Sequence, residues 1–487
     1  MNTVIQSQRS IENATRVVLF GASGLGEIFL SEFTGSANVV GFVDNDLHKA
    51  GGKLGGVPIF AFDQLASLKP DFIIVTSQYY EQIINQLTGL QIPFCHCSDV
   101  IVKESGRRAK WHFYLMKGLY RSAKWLFGLI YREPRHFLHI MPKGGFAESF
   151  RTLIADHDKH AHHRFIYRAA GDLHETLSHN TQSIPEISYE KGHWYPSQFR
   201  SVLTFAKAVA QSNHVMVHGY FNVARFPFIL DPGLNRKASW VAWGRDIHTV
   251  PSRGGFIEEK IKRSKGMFPY LITFMEYDYL HARQRYQSRA RNFVGFYPNP
   301  LNAEHLTDAH VQNDTVKVMV GHSAVDEMHH IPVLRAMANN NAQSSIIAPL
   351  SYGNDGYADK VAREGASLFD NFTAMKAFMA PDEYAPWLST INVAVMHTHT
   401  QIALSTMYAL LYTGATLYIN KQNSSLWAHF TERYGMLVMD SNALLQGEKI
   451  QLLTNEQRQY NRKRAERFFD RNWIAAQWSH IFDEIEG

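Results

Sequence analysis

The chain has 487 residues, 45% hydrophobic and 19% charged, with 32 Gly and 17 Pro dispersed along it. That composition excludes wholesale disorder, collagen and coiled coil, and sets an expectation of about three domains at ~150 residues each. A net charge of +5 is too mild to point to nucleic acid, and Cys95 and Cys97 are spaced for neither a disulfide framework nor a zinc ligand set, which fits a reducing cytosol.

In chain order, Arg16–Phe20 reads as a short buried strand, and Gly21, Ser23, Gly24 and Gly26 form a turn that opens a helical pattern through Phe33. A strand from Val39 to Val43 ends on Asp44, and Asp71–Thr76 makes another. Strand, glycine turn and helix in this order would let backbone N–H groups approach a pyrophosphate, with Asp44 placed for a ribose hydroxyl. Residues 1–102 are therefore expected to form a small Rossmann-like unit that takes a nucleotide or nucleotide-sugar. The same stretch, with Gly55–Phe60 (GGVPIF), resembles the small N-terminal domain of sugar-modifying proteins of the acyltransferase type.

Residues 103–135 carry nine Lys and Arg against Glu104 and Glu133 alone. Lys110, Lys117, Arg121, Lys124 and Arg132 fall along one stripe of a helix, interleaved with Trp111, Phe113, Trp125 and Leu129. A basic, aromatic amphipathic helix of this kind can lie in the interface of an anionic membrane; the other reading is an interdomain helix packed on protein. Tyr120-x-x-x-Lys124 repeats the Tyr/Lys spacing of short-chain dehydrogenases, but it sits on the cationic stripe outside any completed sheet.

A second α/β order begins at His136–Met141 and continues through helices near Phe146–Ala155 and Pro196–Gln211 and strands at Arg164–Tyr167 and His214–His218. A third begins at Thr315, with strands at Ser344–Ala348, Asn392–His397 and Ala415–Ile419. The expected units are 136–300, 301–470 and a return segment, 471–487. The histidines His157, His160, His162 and His163, the pair His329–His330, and His397 with His399 come without a carboxylate pattern of the H-E-x-x-H kind. No metal is expected.

The later half becomes specific in its motifs: HVMVHGYFN at His214–Asn222, SWVAWGRDIH at Ser239–His248, Val320–Ser323 followed by His329–Ile331, Pro349–Gly353, then Tyr384, Gln401, Thr406, Gly414, Asn420, Asn423 and Trp427. In order and spacing these resemble glycosyltransferase family 56, bacterial enzymes that add 4-acetamido-4,6-dideoxygalactose from its dTDP donor to lipid II of enterobacterial common antigen. The resemblance covers about 136–440. It implies an α/β fold of GT-B architecture, two Rossmann-like domains here preceded by the small extra one, and a donor half at 301–470. It departs at Gly321-His322-Ser323-Ala324-Val325, where the family has a polar Gly-Asn-Ser-Gly-Asp loop, and at Gln401–Ser405, where the family has a glycine-bearing turn.

What the resemblance implies is a metal-independent, inverting transfer from a nucleotide-sugar donor to a lipid-linked glycan acceptor, by a protein in the cytoplasm on the inner face of the bacterial inner membrane. Gly321, His322, Ser323, Tyr352, Gln401, Ser405, Thr406 and Asn420 would hold the donor. On the acceptor side, His139, His218, Trp243 and His248 are candidates, and Asp246 is favoured as the base because it follows the Trp243-Gly244 turn at a strand end. Asp246 also reads as a cap on the helix that follows. Two other readings compete: an NAD- or nucleotide-sugar-dependent modifying enzyme in the first hundred residues beside a degenerate transferase, and a non-catalytic membrane-associated scaffold.

Overall fold

The computed structural model describes residues 14–23, 26–27, 29–30, 38–46, 49–77, 83, 86–87, 89–97, 106–131, 136–142, 145–157, 162–168, 181–184, 196–220, 226–248, 256–307, 316–338 and 344–486. Of the expected site residues, Gly24 lies outside them, as do His160 of the histidine run and Lys103 of the basic segment.

Three sheets follow one another along the chain. The first contains β1 (Val17–Phe20), β2 (Val39–Asp44), β3 (Lys53–Leu54), β4 (Val57–Ala61), β5 (Phe72–Val75) and β6 (Phe94–His96), in the order β3-β4-β2-β1-β5-β6. Only the β3–β4 pair is antiparallel. The second contains β7 (His136–Pro142), β8 (His162–Arg168), β9 (Thr181–Ile184), β10 (Ser212–His218), β11 (Ala238–Val241), β12 (Tyr270–Thr273) and β13 (Arg291–Val294), ordered β13-β12-β11-β10-β7-β8-β9 and parallel throughout. The third contains β14 (Lys317–Val320), β15 (Ser345–Pro349), β16 (Phe372–Met375), β17 (Val393–Met396), β18 (Thr416–Ile419) and β19 (Met439–Asp440), ordered β16-β15-β14-β17-β18-β19, again parallel. Each is doubly wound, so the strand order reverses beside its first strand. The crevice at the carboxyl ends of β14 and β17, and of β7 and β10, is where such sheets take ligands.

Both large sheets are buried on two faces, which is why their strands read as continuous apolar runs. Phe137 and Met141 of β7, Met319 of β14 and Met396 of β17 join one core, while Leu138 and Ile140, or Val318 and Val320, point into others. The helix Arg471–Glu486 returns to the second sheet: Trp478 donates from Nε1 to the Phe296 carbonyl at 2.7 Å, and Phe482 packs on Phe137.

The basic segment forms the helix Gly106–Ile130. Phe113, Met116, Tyr120 and Ala123 are buried against the second domain, alongside Val202 and Phe205 of the helix Pro196–Ala210. Lys124 is removed from the expected cationic stripe, because its ammonium pairs with Asp231. Trp125, Leu126, Leu129 and Ile130 remain 52–67% exposed. Among the described residues, no helix is long and apolar enough to cross a membrane.

Candidate functional site

At the carboxyl end of β14 the chain turns through Gly321, whose φ of +70° suits glycine and whose N–H donates to Val395 across the strand-order reversal at 2.9 Å. A Cβ there would stand 2.1 Å from His330 Nε2, a buried nitrogen without a hydrogen-bond partner. The next loop is stitched to this one: Ala324 donates to the Tyr352 carbonyl and Asn354 to that of Ala324, both at 2.8 Å. This brings the Tyr352 hydroxyl onto His322 Nε2, while His322 Nδ1 meets Thr406 Oγ1 at 3.3 Å. Burial lowers the His322 pKa to about 4 and raises that of Tyr352 to about 12, so both are neutral near pH 7.

Thr406 lies in the first turn of the helix Leu404–Thr413, whose unsatisfied N–H groups favour negative charge. Gly321, His322, Ser323, Tyr352, Ser405 and Thr406, drawn from three loops, thus share one neighbourhood. Gln401 has a different place: its buried Oε1 has no partner, and a Cβ on Gly244 of the second domain would come within 2.8 Å of it. Gln401 and Gly244 therefore meet across the cleft. Asn420 is fully buried and its amide is committed to the loop, accepting from Gln422 and Asn442 at 2.9 Å and lying 3.2 Å from His399 Nδ1. Its position is a correction to the expected donor contact, since it holds the loop from behind.

On the acceptor side, the contacts of Asp246 favour a structural role. Asp246 is 1% exposed; Oδ2 accepts from the Tyr220 N–H and Trp240 Nε1, both at 2.7 Å, and Oδ1 from the Trp243 N–H at 2.8 Å. A carboxylate gripping three N–H donors fixes the turn and starts the short helix Arg245–His248. The alternative reading of Asp246 as a cap is the one the contacts support. His248, at the end of that helix, has Asp278 behind it, with Nε2 at 3.2 Å from Oδ1. Asp278 is 1% exposed and its Oδ2 is unpartnered. His281 stacks edge-on to His248 at 4.9 Å and lies 3.4 Å from Ser425 of the third domain, so the pair stands at the interdomain cleft.

His139 and His218 are not exposed to that cleft. They are buried between the second sheet and the return helix, in a chain of hydrogen bonds: His163 Nδ1 to His139 Nε2 at 2.8 Å, His139 Nδ1 to His218 Nε2 at 2.9 Å, then His218 Nδ1 to the Tyr297 hydroxyl and Trp243 Nε1 to the same oxygen at 3.1 Å. Trp243 can only donate, so the Tyr297 oxygen accepts from it, and the directions along the imidazoles follow their tautomers. Burial pushes the His218 pKa to about 3 and that of His139 well down, so these two imidazoles are neutral. These imidazoles support Trp243 from behind. A second group, His329, His397 and His399, gathers at the end of β17 with ring centroids 5.1–5.8 Å apart.

The family profile described as 4-alpha-L-fucosyltransferase glycosyl transferase group 56 matches residues 151–487. The chain belongs to that family. A second profile, described as C2185-like, N-terminal, matches residues 13–96. Among solved structures, the chain is similar to sucrose-phosphate synthase from Thermosynechococcus elongatus, at 12% identity and a TM-score of 0.53, and to a glycosyltransferase from Rickettsia africae ESF-5, at 13% and 0.52. Each likeness covers 72% of this chain and 99% of the other. No curated protein matches in sequence. The fold is GT-B, and the protein is a glycosyltransferase.

In this group 56 chain the N-terminal turn is built for structure. Gly21, Ser23, Gly26 and Asp44 do come together at the reversal of the first sheet, but the Asp44 carboxylate accepts from the Ala22 and Asp46 N–H groups at 2.8 and 2.9 Å and from Lys49 Nζ at 3.0 Å. An acid expected to bind a ribose is thereby spent on its own loop. A Cβ on Gly26 would come 2.5 Å from the Gly21 carbonyl, so that glycine serves the close approach of helix to strand. Tyr120, of the dehydrogenase-like spacing, is fully buried with an unpartnered hydroxyl, and burial drives its pKa upward. Asp278 escaped the sequence reading because its meeting with His248 is purely tertiary: no local spacing joins residues 30 positions apart.

Proposed function

We propose that the protein transfers an amino-deoxy or related sugar, from a nucleoside-diphosphate donor of the dTDP-4-acetamido-4,6-dideoxygalactose kind, to a polyprenyl-diphosphate-linked glycan in surface-polysaccharide synthesis. The transfer is inverting and metal-independent, at the inner face of the bacterial inner membrane. The observation that carries the donor side is the convergence of the Gly321–Ser323 turn, Tyr352 and the Ser405–Thr406 helix start at one strand-order reversal. N–H groups and hydroxyls gathered there stabilise a departing diphosphate without proton transfer.

The acceptor hydroxyl attacks the anomeric carbon while His248 Nδ1 takes its proton; the bond from that carbon to the diphosphate oxygen breaks, and the nucleoside diphosphate leaves with the electron pair. Asp278 orients the imidazole and stabilises the imidazolium that forms. The apolar face of the helix Gly106–Ile130, with Trp125, Leu126, Leu129 and Ile130 exposed beside Arg121, suits a surface that meets the membrane where a lipid-linked acceptor resides.

The test is sugar transfer and thermal shift with dTDP, UDP and GDP, with and without EDTA, on the full chain and on His248→Asn and Asp278→Asn. A nucleoside diphosphate is expected to stabilise all three proteins with EDTA present. His248→Asn is expected to lower kcat by about a hundredfold or more, and Asp278→Asn to lower kcat with little change in KM. Full turnover by His248→Asn overturns the base assignment, and stabilisation lost with EDTA overturns the metal-free donor site.

A further inference from the structure

The imidazoles of His329, His397 and His399 gather where β17 ends. His397 follows Met396 directly, beside the Gly321 turn, whose N–H donates to the Val395 carbonyl at 2.9 Å. The loop from His397 to Ala403 then leads into the helix Leu404–Thr413, which presents Ser405 and Thr406 in its first turn. His329 comes from the loop after β14, with its ring 5.1 Å from that of His399 and nearly perpendicular to it, at 81°. His399 is exposed and His329 half-buried. Among the described residues no group of side chains is disposed to hold a metal ion.

Hydrogen bonds fix where the protons of His329 and His399 sit. His329 Nδ1 lies 2.9 Å from the Glu327 carbonyl and 3.1 Å from that of His397; carbonyls only accept, so Nδ1 carries the proton and Nε2 of the neutral ring keeps its lone pair. The Asn420 side chain sets His399 the other way. Its oxygen accepts from the Gln422 N–H and from Asn442 Nδ2, both at 2.9 Å, which leaves its amide nitrogen to donate to His399 Nδ1 at 3.2 Å and places the His399 proton on Nε2. Burial and the charge of His329 lower the His399 pKa, which keeps that ring neutral near pH 7. The pair therefore offers one N–H and one lone pair. A phosphate oxygen, which only accepts, satisfies the first and repels the second. A hydroxyl or an acetamido group, which both donates and accepts, satisfies the two together.

We propose that His399 and His329 bind a hydroxyl or acetamido substituent of the transferred sugar, with Nε2–H of His399 donating to it and Nε2 of His329 accepting from it, and that Asn420 is the positioning residue that holds His399 in the required tautomer. The inference rests on the donor reading above and deepens it: the Gly321 turn and the helix start take the diphosphate, and the histidine pair reads what the sugar carries. It also gives the buried Asn420 a role that reaches the donor through His399 rather than by contact.

Calorimetric titration of the full chain with dTDP, dTDP-glucose and dTDP-4-acetamido-4,6-dideoxygalactose tests it. The readout is the affinity for each sugar nucleotide relative to dTDP, and which of the two carries the preference tells hydroxyl from acetamido. H399A and H329N, the latter chosen because asparagine tolerates the φ of +48° at that position, are each expected to lower the ratio about fivefold, the worth of one neutral hydrogen bond, with dTDP affinity unchanged. In N420D the carboxylate keeps the bonds from Gln422 and Asn442 but accepts from His399 Nδ1, which takes the neutral ring's proton off Nε2. Its ratio is expected to match that of H399A at pH 8 and to recover relative to wild type as the pH falls to 6, because the second proton of an imidazolium restores Nε2–H; lost packing alone gives no such recovery. The titratable groups around His399 are His329 and His397, with Asp326 acting on the first and Asp440 on the second, and N420D leaves all four in place. A ratio in N420D that stays low at pH 6 overturns the positioning role of Asn420. Wild-type ratios in H399A and H329N overturn the histidine pair and leave the diphosphate site standing, and an equal loss for dTDP itself moves the pair to the base or the diphosphate and overturns the sugar contact. Wild type that binds neither dTDP nor its sugar nucleotides overturns the donor reading, and this inference with it.

Discussion

Asp246→Asn separates a structural carboxylate from a catalytic one. In the protein, Oδ2 accepts two N–H bonds and Oδ1 one, all at 2.7–2.8 Å and with the residue 1% exposed. An amide keeps a single acceptor oxygen; its best orientation leaves that oxygen to Tyr220 and Trp240 and turns the NH₂ toward the Trp243 N–H. One bond to a charged acceptor, worth about 1.5–3 kcal/mol, is lost, and a buried donor left unmatched adds about 1–3 kcal/mol. The expected cost is therefore about 4 kcal/mol, which for a domain of this size is a fall of roughly 10 °C in Tm. Thermal unfolding followed by tryptophan fluorescence reads it directly, because Trp240 and Trp243 flank the site. A merely catalytic Asp246 gives the opposite pattern. A Tm within about 2 °C of wild type together with a hundredfold loss of kcat refutes the structural assignment and restores Asp246 as the base.

Two further outcomes are expected. Gly321→Ala places a Cβ 2.1 Å from His330 Nε2 at a φ of +70°, so it should destabilise the donor domain by at least about 2 kcal/mol and abolish stabilisation by nucleoside diphosphate; a normal shift in the calorimetric trace with added nucleotide counts against this geometry. Acidification should weaken the second domain: His214 and His218 have folded pKa values lowered by burial to about 3 from 6.5. The unfolded chain therefore binds protons first, and stability present above pH 6.5 is lost as the pH falls toward 3, by about 2 kcal/mol per histidine at pH 5. Urea midpoints between pH 7.5 and 5 measure the loss, and a flat profile shows that these imidazoles are not buried neutral.

The positions of His139, His218 and Asp246 explain where sequence reasoning stopped. His218 ends its strand and Asp246 follows one, at what a linear reading takes as the functional edge of a parallel sheet, while His139 lies in the middle of β7. The side chain alternates between faces, however, and β7 and β10 turn their histidines under the return helix rather than into the cleft. Likewise, the cationic stripe of 103–135 is visible as a period, but the partner of Lys124, Asp231, comes from more than a hundred residues away.

By itself, the amino-acid sequence determined the elements and their grouping. Apolar runs of four to seven residues between helical patterns settle parallel sheets because both faces of each strand are buried, and the ordered motifs from His214 to Trp427 carried the family. Tertiary structure alone decided which polar groups face substrate. Asp246 is occupied by Tyr220 and Trp240, Asp44 by Lys49, and His248 is paired with Asp278. The physical reason is that the chemistry of a carboxylate or imidazole depends on which donors fill its lone pairs, and those donors arrive from segments whose distance along the chain says nothing about their distance in space.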